Sequence, residues 1–304
     1  MVELLLTIIA MACGVLLVRA WLLYRPQPGF AREPFDGVVY AVGDATVAER
    51  TSLAPRTTVV CMHGFVESPA YFTHFYAEPS VQLVLISSAD YHPLGTPVQA
   101  PWARPIAAPP GSIEYDAAVL VQALEHLPRT PTIRVHGHSR GGAVVLEASV
   151  QRPELFAGVE VLLDTPVLPQ ARVRGRTTAL MLWLLPFFVP LWRAKPITPR
   201  NAKVWGRLDD ARKRALIMSL PFNPRRAITI ARGLLSIRDW QARTDERHYD
   251  AVRGCVLIAG DDRVLDSRSM RASAERAKGL RIIEAPGSSH FLLFDSPEVV
   301  PPLP

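Results

Sequence analysis

The pentapeptide GHSRG at residues 137–141 restricts the fold of this chain more than any other segment. It follows a β-rich apolar run at 132–136 and precedes a helical pattern at 141–151, so a strand must turn sharply into a helix at Ser139. Glycines on both sides let such a turn pass close to its neighbours, where larger side chains would collide. The sequence therefore predicts an α/β fold with a serine hydroxyl on a strained turn at a helix N-terminus, where negative charge is stabilised.

Short β-rich apolar runs alternate with helical stretches along most of the chain, which is typical of a parallel sheet flanked by helices. Several runs are apolar at every position, as expected of strands buried on both faces. The predicted strands are 37–42, 58–62, 82–87, 132–136, 159–163, 255–259 and 281–284. The predicted helices are 112–127, 141–151 and 267–278.

This alternation stops in the segment 166–245, which contains no strand candidate and is both very apolar at 179–192 and strongly basic. Between Arg172 and Arg243 there are sixteen Lys and Arg residues against three Asp, a net charge of +13, whereas the whole chain carries only +6. We interpret this segment as a helical insertion. Its charge favours an anionic membrane surface, or simply a solvated face, and no recognition motif supports nucleic-acid binding.

The N-terminal stretch 4–23 is apolar and long enough to cross a bilayer, with Arg19 as its only charge. A cleaved signal peptide would need a basic region before the apolar run, but only Glu3 is charged there. We therefore predict a transmembrane anchor at residues 1–25 and a proline-rich linker at 26–36, with a monotopic helix in the membrane interface or a cleaved signal as the alternatives. Positive residues follow the span (Arg19, Arg25 and Arg32), so the positive-inside rule predicts a cytoplasmic catalytic domain.

A serine hydroxyl needs a base to act as a nucleophile, and the motif GSSH at 287–290 offers one after the last predicted strand. Small residues before His290 let its loop bring the imidazole to Ser139. The base in turn needs a carboxylate, for which Asp262 in the segment GDDRVLD is the preferred candidate. Asp261, Asp266 and Asp164 remain alternatives, because one sequence does not settle the register of a loop.

The fourth element is the segment MHGF at 62–65, which follows a predicted strand. An oxyanion hole combines the amide after the nucleophile with an amide from the loop after the third strand, which assigns the amides of Arg140 and Phe65. We expect His63 to hydrogen-bond or pack within its loop. No ligands at metal spacing surround it, and no motif predicts a metal or a cofactor.

The three cysteines are Cys13, Cys61 and Cys255. Their odd number and irregular spacing argue against a disulfide framework and an oxidising compartment. We expect all three to be unpaired thiols that are buried in apolar surroundings.

The motifs HGF, GHSRGG, AGDDRVLD and GSSH, in this order, resemble the α/β-hydrolase superfamily over residues 37–297. The HGF start and GDDRVLD are similar to the monoacylglycerol lipase and lysophospholipase branch, although these motifs are widely shared. The resemblance implies an α/β-hydrolase fold with core segments at 37–165 and 246–304 and a cap at 166–245. It also implies a short last helix, because few residues follow His290.

Together these features predict a membrane-associated serine ester hydrolase that acts on a lipid-like carboxylic ester through Ser139, Asp262 and His290. The apolar stretch 179–192 exceeds what one helix face needs for packing and would suit an acyl pocket or a membrane surface. An acyltransferase or thioesterase of the same fold is the first alternative. A non-catalytic, membrane-tethered binding module is the second.

Overall fold

The computed structural model describes residues 1–25, 35–89, 91, 94–174, 178–220 and 226–304. Its centre is a nine-stranded sheet with the order β5-β1-β2-β4-β3-β6-β7-β8-β9. The strands are β1 Val38–Val42, β2 Ala45–Arg50, β3 Thr57–Met62, β4 Val81–Ser87, β5 Val98–Gln99, β6 Ile133–His138, β7 Glu160–Asp164, β8 Arg253–Ala259 and β9 Leu280–Ala285. From β4 to β9 every neighbouring pair is parallel, which confirms the predicted sheet.

Helices cover both faces of this sheet and its carboxyl edge. They are α1 Val2–Tyr24, α2 Ala70–Thr73, α3 Ile113–His126, α4 Arg140–Gln151, α5 Ala179–Ala194, α6 Ala202–Trp205, α7 Ala211–Met218, α8 Ala227–Arg243, α9 Ser267–Ala274 and α10 Leu292–Asp295. Helix α3 begins at Ser112, whose side chain caps the helix by accepting from the amide of Tyr115. Helix α9 ends four residues before the predicted end at Lys278.

Strand β2 is a strand that the sequence did not predict. It pairs antiparallel with β1 and with β4. Its sequence ATVAER carries two charged residues, which conceal the strand pattern. Glu49 is nevertheless buried, because its carboxylate accepts a hydrogen bond from Gln82 at 2.7 Å and faces Arg129 at 3.0 Å.

The parallel strands determine where functional groups meet. Strands β3, β6, β7 and β8 lie side by side and run in the same direction, so the loops at their carboxyl ends share one edge of the sheet. Every residue of β3 and β4 is buried, which fixes this part of the sheet firmly between its two helical layers. The loops that follow β3, β6, β8 and β9 carry the candidate residues.

The residues 166–245, which we call the cap segment, contain α5 to α8 and no strand within the described ranges. Helix α5 continues through Pro186 and Pro190 for 16 residues. Leu185, Pro186 and Val189 are buried, and this tertiary packing offsets the missing backbone hydrogen bonds. At this length α5 is still shorter than a membrane span.

Helix α1 has a mean hydropathy of 2.2 in its most apolar window and meets the length and composition of a membrane span, a test that a signal sequence also passes. Among the described residues, its last turns pack against the rest of the chain. Leu22 and Leu23 are buried, and Arg19 donates from Nε to the carbonyl oxygen of Trp183 in α5 at 3.1 Å. The C-terminal end of α1 is therefore attached to the cap segment.

All three cysteines are free. Cys61 and Cys255 lie buried in the sheet, as expected. Cys13 is exposed on α1, so the expectation of a buried thiol was wrong for this residue.

Candidate active site

Ser139 occupies a turn that only small neighbours permit. Its φ of 52° and ψ of −118° are unusual for a residue with a side chain. A Cβ on Gly141 would lie 2.1 Å from the carbonyl oxygen of Met62, and one on Gly137 would lie 2.6 Å from that of Gly141. The turn is held by the amide of Ser139, which donates to the carbonyl oxygen of Asp164 at 2.9 Å.

Three predicted side chains meet at the carboxyl edge of the sheet. Ser139 Oγ lies 2.9 Å from His290 Nε2, and His290 Nδ1 lies 2.7 Å from Asp262 Oδ2. All three residues are buried. This sequence of contacts is the geometry in which an imidazole takes a proton from a hydroxyl while a carboxylate stabilises the resulting cation.

The carboxylate of Asp262 is held in its ionised form. Its Oδ1 accepts from the amides of Val264 at 2.7 Å and Leu265 at 2.9 Å. Burial raises the pKa of Asp262, but the charge and hydrogen bond of His290 and these two amides outweigh burial, so its pKa is lowered. A charged acceptor is what His290 Nδ1–H requires.

The alternative carboxylates lie elsewhere. Asp261 is exposed, and Asp266 caps α9 by accepting from the amide of Ser269 at 2.8 Å. Asp164 is fully buried but lies 3.2 Å from His138 Nδ1 rather than against His290. Among the four candidate carboxylates, the geometry brings only Asp262 to the base.

The Gly64–Phe65 peptide lies directly beside Ser139, since a Cβ on Gly64 would be 3.0 Å from Ser139 Cβ. Its carbonyl oxygen accepts from His63 Nδ1 at 2.6 Å, while His63 Nε2 accepts from the amide of Ser88 at 3.1 Å. Because Nε2 is an acceptor, the proton is on Nδ1. Burial lowers the pKa of His63, so the ring stays neutral and keeps this tautomer.

The amides of Phe65 and Arg140 were predicted to form the oxyanion hole. Within the described ranges neither amide donates to a protein acceptor. The amide before Phe65, that of Gly64, is fixed by Glu67 Oε2 at 2.7 Å. Both ends of Gly64 are thus held beside Ser139, which also restrains the neighbouring amide of Phe65, and a preorganised donor of this kind is what transition-state stabilisation requires.

His138 is a buried cation that the sequence did not identify. Its Nε2 lies 3.4 Å from Glu67 Oε1 and its Nδ1 lies 3.2 Å from Asp164 Oδ2. Burial alone lowers the pKa of His138, but these two carboxylates outweigh it and raise its pKa to about 10. Its ring centroid is 5.0 Å from that of His290, so a permanent positive charge lies beside the candidate base.

The side chain of Arg140 is also buried below the turn. Its Nη1 donates to Asp116 Oδ2 at 2.6 Å and its Nη2 donates to the carbonyl oxygen of Gly111 at 3.1 Å. Ser88 Oγ donates to the same Asp116 oxygen at 2.8 Å. One connected network therefore fixes the residue after Ser139 and the loop that carries Phe65, because the backbone of Ser88 also holds His63.

Some of the site residues that the sequence analysis did not identify could have been found from the sequence. Asp116 is one of them, because an acidic residue on the apolar face of α3 needs a buried partner. Glu67 and Tyr71 offered no such signal, because Glu67 lies in the short loop after the HGF motif and Tyr71 in the single turn of α2 that follows it. Tyr71 donates to Asp164 Oδ2 at 2.7 Å and accepts from the amide of Leu293 at 3.1 Å, which connects β7 to the loop of His290.

A cavity of about 260 Å³ opens above Ser139 and is lined almost wholly by apolar side chains. The core contributes its floor through the loops of Ser139, His290 and Phe65. The cap segment contributes most of its walls, with Met181, Leu185, Trp192, Val204, Trp205, Leu220, Ile230 and Leu234. Among the described residues, no group of three or more His, Cys, Asp or Glu side chains could hold a metal ion.

A family model with the description "Alpha/beta hydrolase family" matches residues 59–301 of this chain. The uncharacterised hydrolase YugF of Bacillus subtilis is 29% identical over 149 residues, which is 48% of this chain and 50% of that protein. The alignment thus spans about half the length of this curated relative.

Solved structures share the architecture. An esterase from Exiguobacterium antarcticum superimposes with a TM-score of 0.61 at 14% identity, covering 86% of this chain and 95% of that one. A serine hydrolase from Cycloclasticus zankles gives 0.57 at 13% identity over 86% and 93% of the two chains. A thermophilic esterase from Thermogutta terrifontis gives 0.55 at 15% identity over 88% and 94%. At these identities the likeness establishes the fold alone.

Proposed function

This chain belongs to the α/β hydrolase family, and from that premise we propose that it is a membrane-associated serine ester hydrolase acting on a lipid-like carboxylic ester. One observation carries the proposal. The hydroxyl of Ser139 is hydrogen-bonded to His290 at the floor of a cavity whose walls are almost wholly apolar. Such a cavity suits an acyl chain, and the ester bond would lie where the polar groups converge.

In the proposed reaction, Ser139 Oγ attacks the acyl carbonyl carbon while His290 Nε2 takes the hydroxyl proton. The amides of Phe65 and Arg140 receive the oxyanion, and Asp262 stabilises the imidazolium. The C–O bond to the alcohol then breaks as His290 returns the proton to the leaving oxygen. Water hydrolyses the acyl-enzyme by the same steps in reverse, which regenerates Ser139.

The membrane part of the proposal has two supports. Helix α1 is long, apolar and unburied over its span, and its C-terminal end packs against α5, which lines the cavity. Residues of α5 that face outward are also apolar, with Leu180 and Leu191 exposed by 66% and 64%. We propose an anchor at residues 1–25, a linker at 26–36 and a catalytic domain on the cytoplasmic side.

The charge of the cap segment supports an anionic lipid surface as the second membrane contact. Arg193 lies in the last turn of α5, beside the exposed Leu191, and Lys203 lies in the next helix, α6. This arrangement of exposed apolar residues beside cations suits the headgroup region of a bilayer. Substrates would then be amphipathic esters, such as monoacylglycerols or lysophospholipids.

A fluorophosphonate probe tests the chemistry, because it forms a covalent bond with an activated serine. Wild-type protein should be labelled, Ser139→Ala should not, and Ser52→Ala, a control outside the cavity, should be labelled like wild type. Equal labelling of wild type and Ser139→Ala would refute the proposed nucleophile.

A lipid panel tests the substrate class. Monoacylglycerols, lysophospholipids and acyl thioesters should be supplied in vesicles, with and without an added lipid alcohol. Free fatty acid from the oxygen esters supports the proposal. A new ester in excess of free acid would instead identify an acyltransferase, and preference for thioesters would identify a thioesterase.

A further inference from the structure

A fully buried lysine side chain of the cap segment, that of Lys213, extends to the loop of His290. Lys213 belongs to α7, yet its side chain is 0% exposed, whereas the neighbouring Arg212 is 59% exposed. Buried lysines are uncommon, because removing an ammonium group from water is costly unless it is paired. Lys213 therefore calls for an explanation in terms of what it contacts.

Its partners lie on both sides of His290. Lys213 Nζ donates to Asp295 Oδ1 at 2.6 Å and lies 3.2 Å from Ser289 Oγ. Asp295 Oδ2 in turn accepts from the amide of Ser289 at 2.8 Å. The ammonium group also lies 5.6 Å from the ring centre of Phe291. The residues immediately before and after His290 are thus held by one ammonium–carboxylate pair.

The backbone of the cap segment also packs closely against Ser289. Gly206, with a φ of 68°, lies so close to Ser289 that a Cβ there would be 2.4 Å from Ser289 Cβ. Ser289 Oγ lies 3.2 Å from the carbonyl oxygen of Trp205, which lines the cavity. Asp210 caps α7 by accepting from the amides of Arg212 and Lys213, which fixes the turn that points Lys213 inward.

We propose that Lys213 is a positioning residue for His290, through which the cap segment, by way of Asp295 and Ser289, holds the loop of the base in its productive position. This inference rests on the proposed function. It adds that the cap segment does more than line the cavity: docking of α7 and assembly of the base loop are coupled. Displacing α7 should therefore displace His290 as well as open the cavity.

The coupling between α7 and the loop of His290 should depend on pH, because Lys213 makes its ion pair only when it is protonated. The charges that reach its ammonium group are Asp295 directly, and Asp209 and Arg207 from further away. Burial lowers the pKa of Lys213 and outweighs the opposing effect of Asp295. Lys213 should accordingly lose its proton, and the base loop its anchor, at a pH below the ordinary range for lysine.

The test compares Lys213→Met, Lys213→Arg and Asp295→Asn with the matched control Arg212→Met, which removes an exposed cation from the same helix. Lys213→Met and Asp295→Asn should each lower kcat by about tenfold or more with little change in KM, since small displacements of a catalytic group are costly. Arg212→Met should match wild type. Lys213→Arg keeps the charge and should recover part of the lost kcat.

The pH profile separates positioning from simple stabilisation. Wild type should lose kcat on the alkaline side, and that loss should be absent from Lys213→Met, whose kcat is already low, and shifted upward in Lys213→Arg. If Lys213→Met does not fold, Asp295→Asn and the profile of wild type against Lys213→Arg decide the question. Wild-type kcat with an unchanged alkaline limb in a folded Lys213→Met would overturn the inference, whereas failure of Ser139→Ala to abolish labelling would overturn the proposed function instead.

Discussion

The core and the cap segment each place a buried cation beside His290 or its loop, and the pKa values of these two cations move in opposite directions. His138, in the core, faces two carboxylates, Glu67 and Asp164, and its pKa is raised to about 10 despite burial. Lys213, in the cap segment, faces one carboxylate, Asp295, and burial lowers its pKa. For His138, two carboxylates within 3.4 Å outweigh the effect of burial on the pKa, whereas for Lys213 burial outweighs the carboxylate in direct contact.

The contrast shows how differently the two regions are held. At the core edge, the ring of His138 lies between the carboxylates of Glu67 and Asp164, beside the turn of Ser139. The cap segment contacts the core through apolar side chains, hydrogen bonds and ion pairs such as Arg243–Glu114 and Lys213–Asp295. The net electrostatic gain from a buried pair such as Lys213–Asp295 is small. We therefore expect changes at the core edge to lower kcat on every substrate, and changes in the cap segment outside the Lys213 pair to alter which substrates are accepted.

The largest expected effect follows from Asp262→Asn. The amide keeps the shape of the carboxylate but disfavours the tautomer of His290 that accepts the proton of Ser139, so kcat should fall by about 10⁴-fold. Asp164→Asn, which changes a carboxylate of the His138 network, should cost far less. Hydrolysis of a soluble chromogenic ester measures both. A greater loss in Asp164→Asn would mean that the carboxylates exchange roles.

The next effect is on stability at alkaline pH. Because the folded pKa of His138 is raised, its stabilising contribution is complete below about pH 6.5 and is lost as pH rises through about 10, which amounts to several kcal/mol. His138→Gln should lack this slope. The contribution of Lys213 changes with pH in the opposite direction. Because its folded pKa is lowered, stability rises with pH between the folded pKa and the ordinary pKa of lysine.

Thermal unfolding between pH 6 and pH 10.5 compares the two cations directly. Wild type should lose stability over this interval, and Lys213→Met should lose it more steeply, because the opposing contribution is removed. A wild-type slope that His138→Gln does not reduce would contradict the charge assigned to His138.

The core could be predicted from the sequence in more detail than the cap segment. The strands, the sharp turn at Ser139 and the proximity of His290 were predictable, because local motifs and a parallel sheet bring the ends of neighbouring strands together. Asp262 was preferred over three other carboxylates, and the geometry places it at His290. Strand β2 was missed because its buried Glu49 depends on Gln82 and Arg129, which are distant in sequence.

The cap segment was predictable only in outline. Its helical and basic character follows from composition, but nothing in the sequence ARKRALIM distinguishes Lys213 from the arginines on either side. Which of three adjacent cations points inward depends on how α7 docks against α10. The same applies to α5, where packing of Leu185 and Val189 allows a helix to continue through two prolines.

A more modest effect should follow from filling the cavity. Met181 lines the cavity, whereas the preceding Leu180 is exposed on the same helix. Met181→Trp should lower the ratio of kcat/KM for long-chain acyl esters to kcat/KM for acetate esters by about tenfold or more. The reason is that each apolar contact in a pocket contributes about 1–3 kcal/mol of discrimination. Leu180→Trp is the matched control and should leave the ratio unchanged. An equal loss on all chain lengths would mean that α5 affects the chemistry.

The smallest effect in solution should come from removing most of α1. A chain that starts at Arg19 retains the buried Leu22 and Leu23, and also the hydrogen bond from Arg19 to Trp183 in the cap segment. Since the deleted residues contact little else, kcat/KM on a soluble ester should stay within about twofold of wild type, as for other changes outside the packed structure. Thermal unfolding should change as little.

Binding to vesicles then separates the anchor from the cap segment. The shortened chain should lose binding to neutral vesicles, because a spanning helix supplies that affinity. It should keep weaker binding to anionic vesicles that falls as salt is raised, because screening weakens the attraction between the cationic cap segment and lipid headgroups. Loss of binding to both vesicle types would assign all membrane affinity to α1. Loss of activity on the soluble ester would instead show that α1 supports the structure of the cap segment. The cap segment would then depend on the anchor for its position against the core.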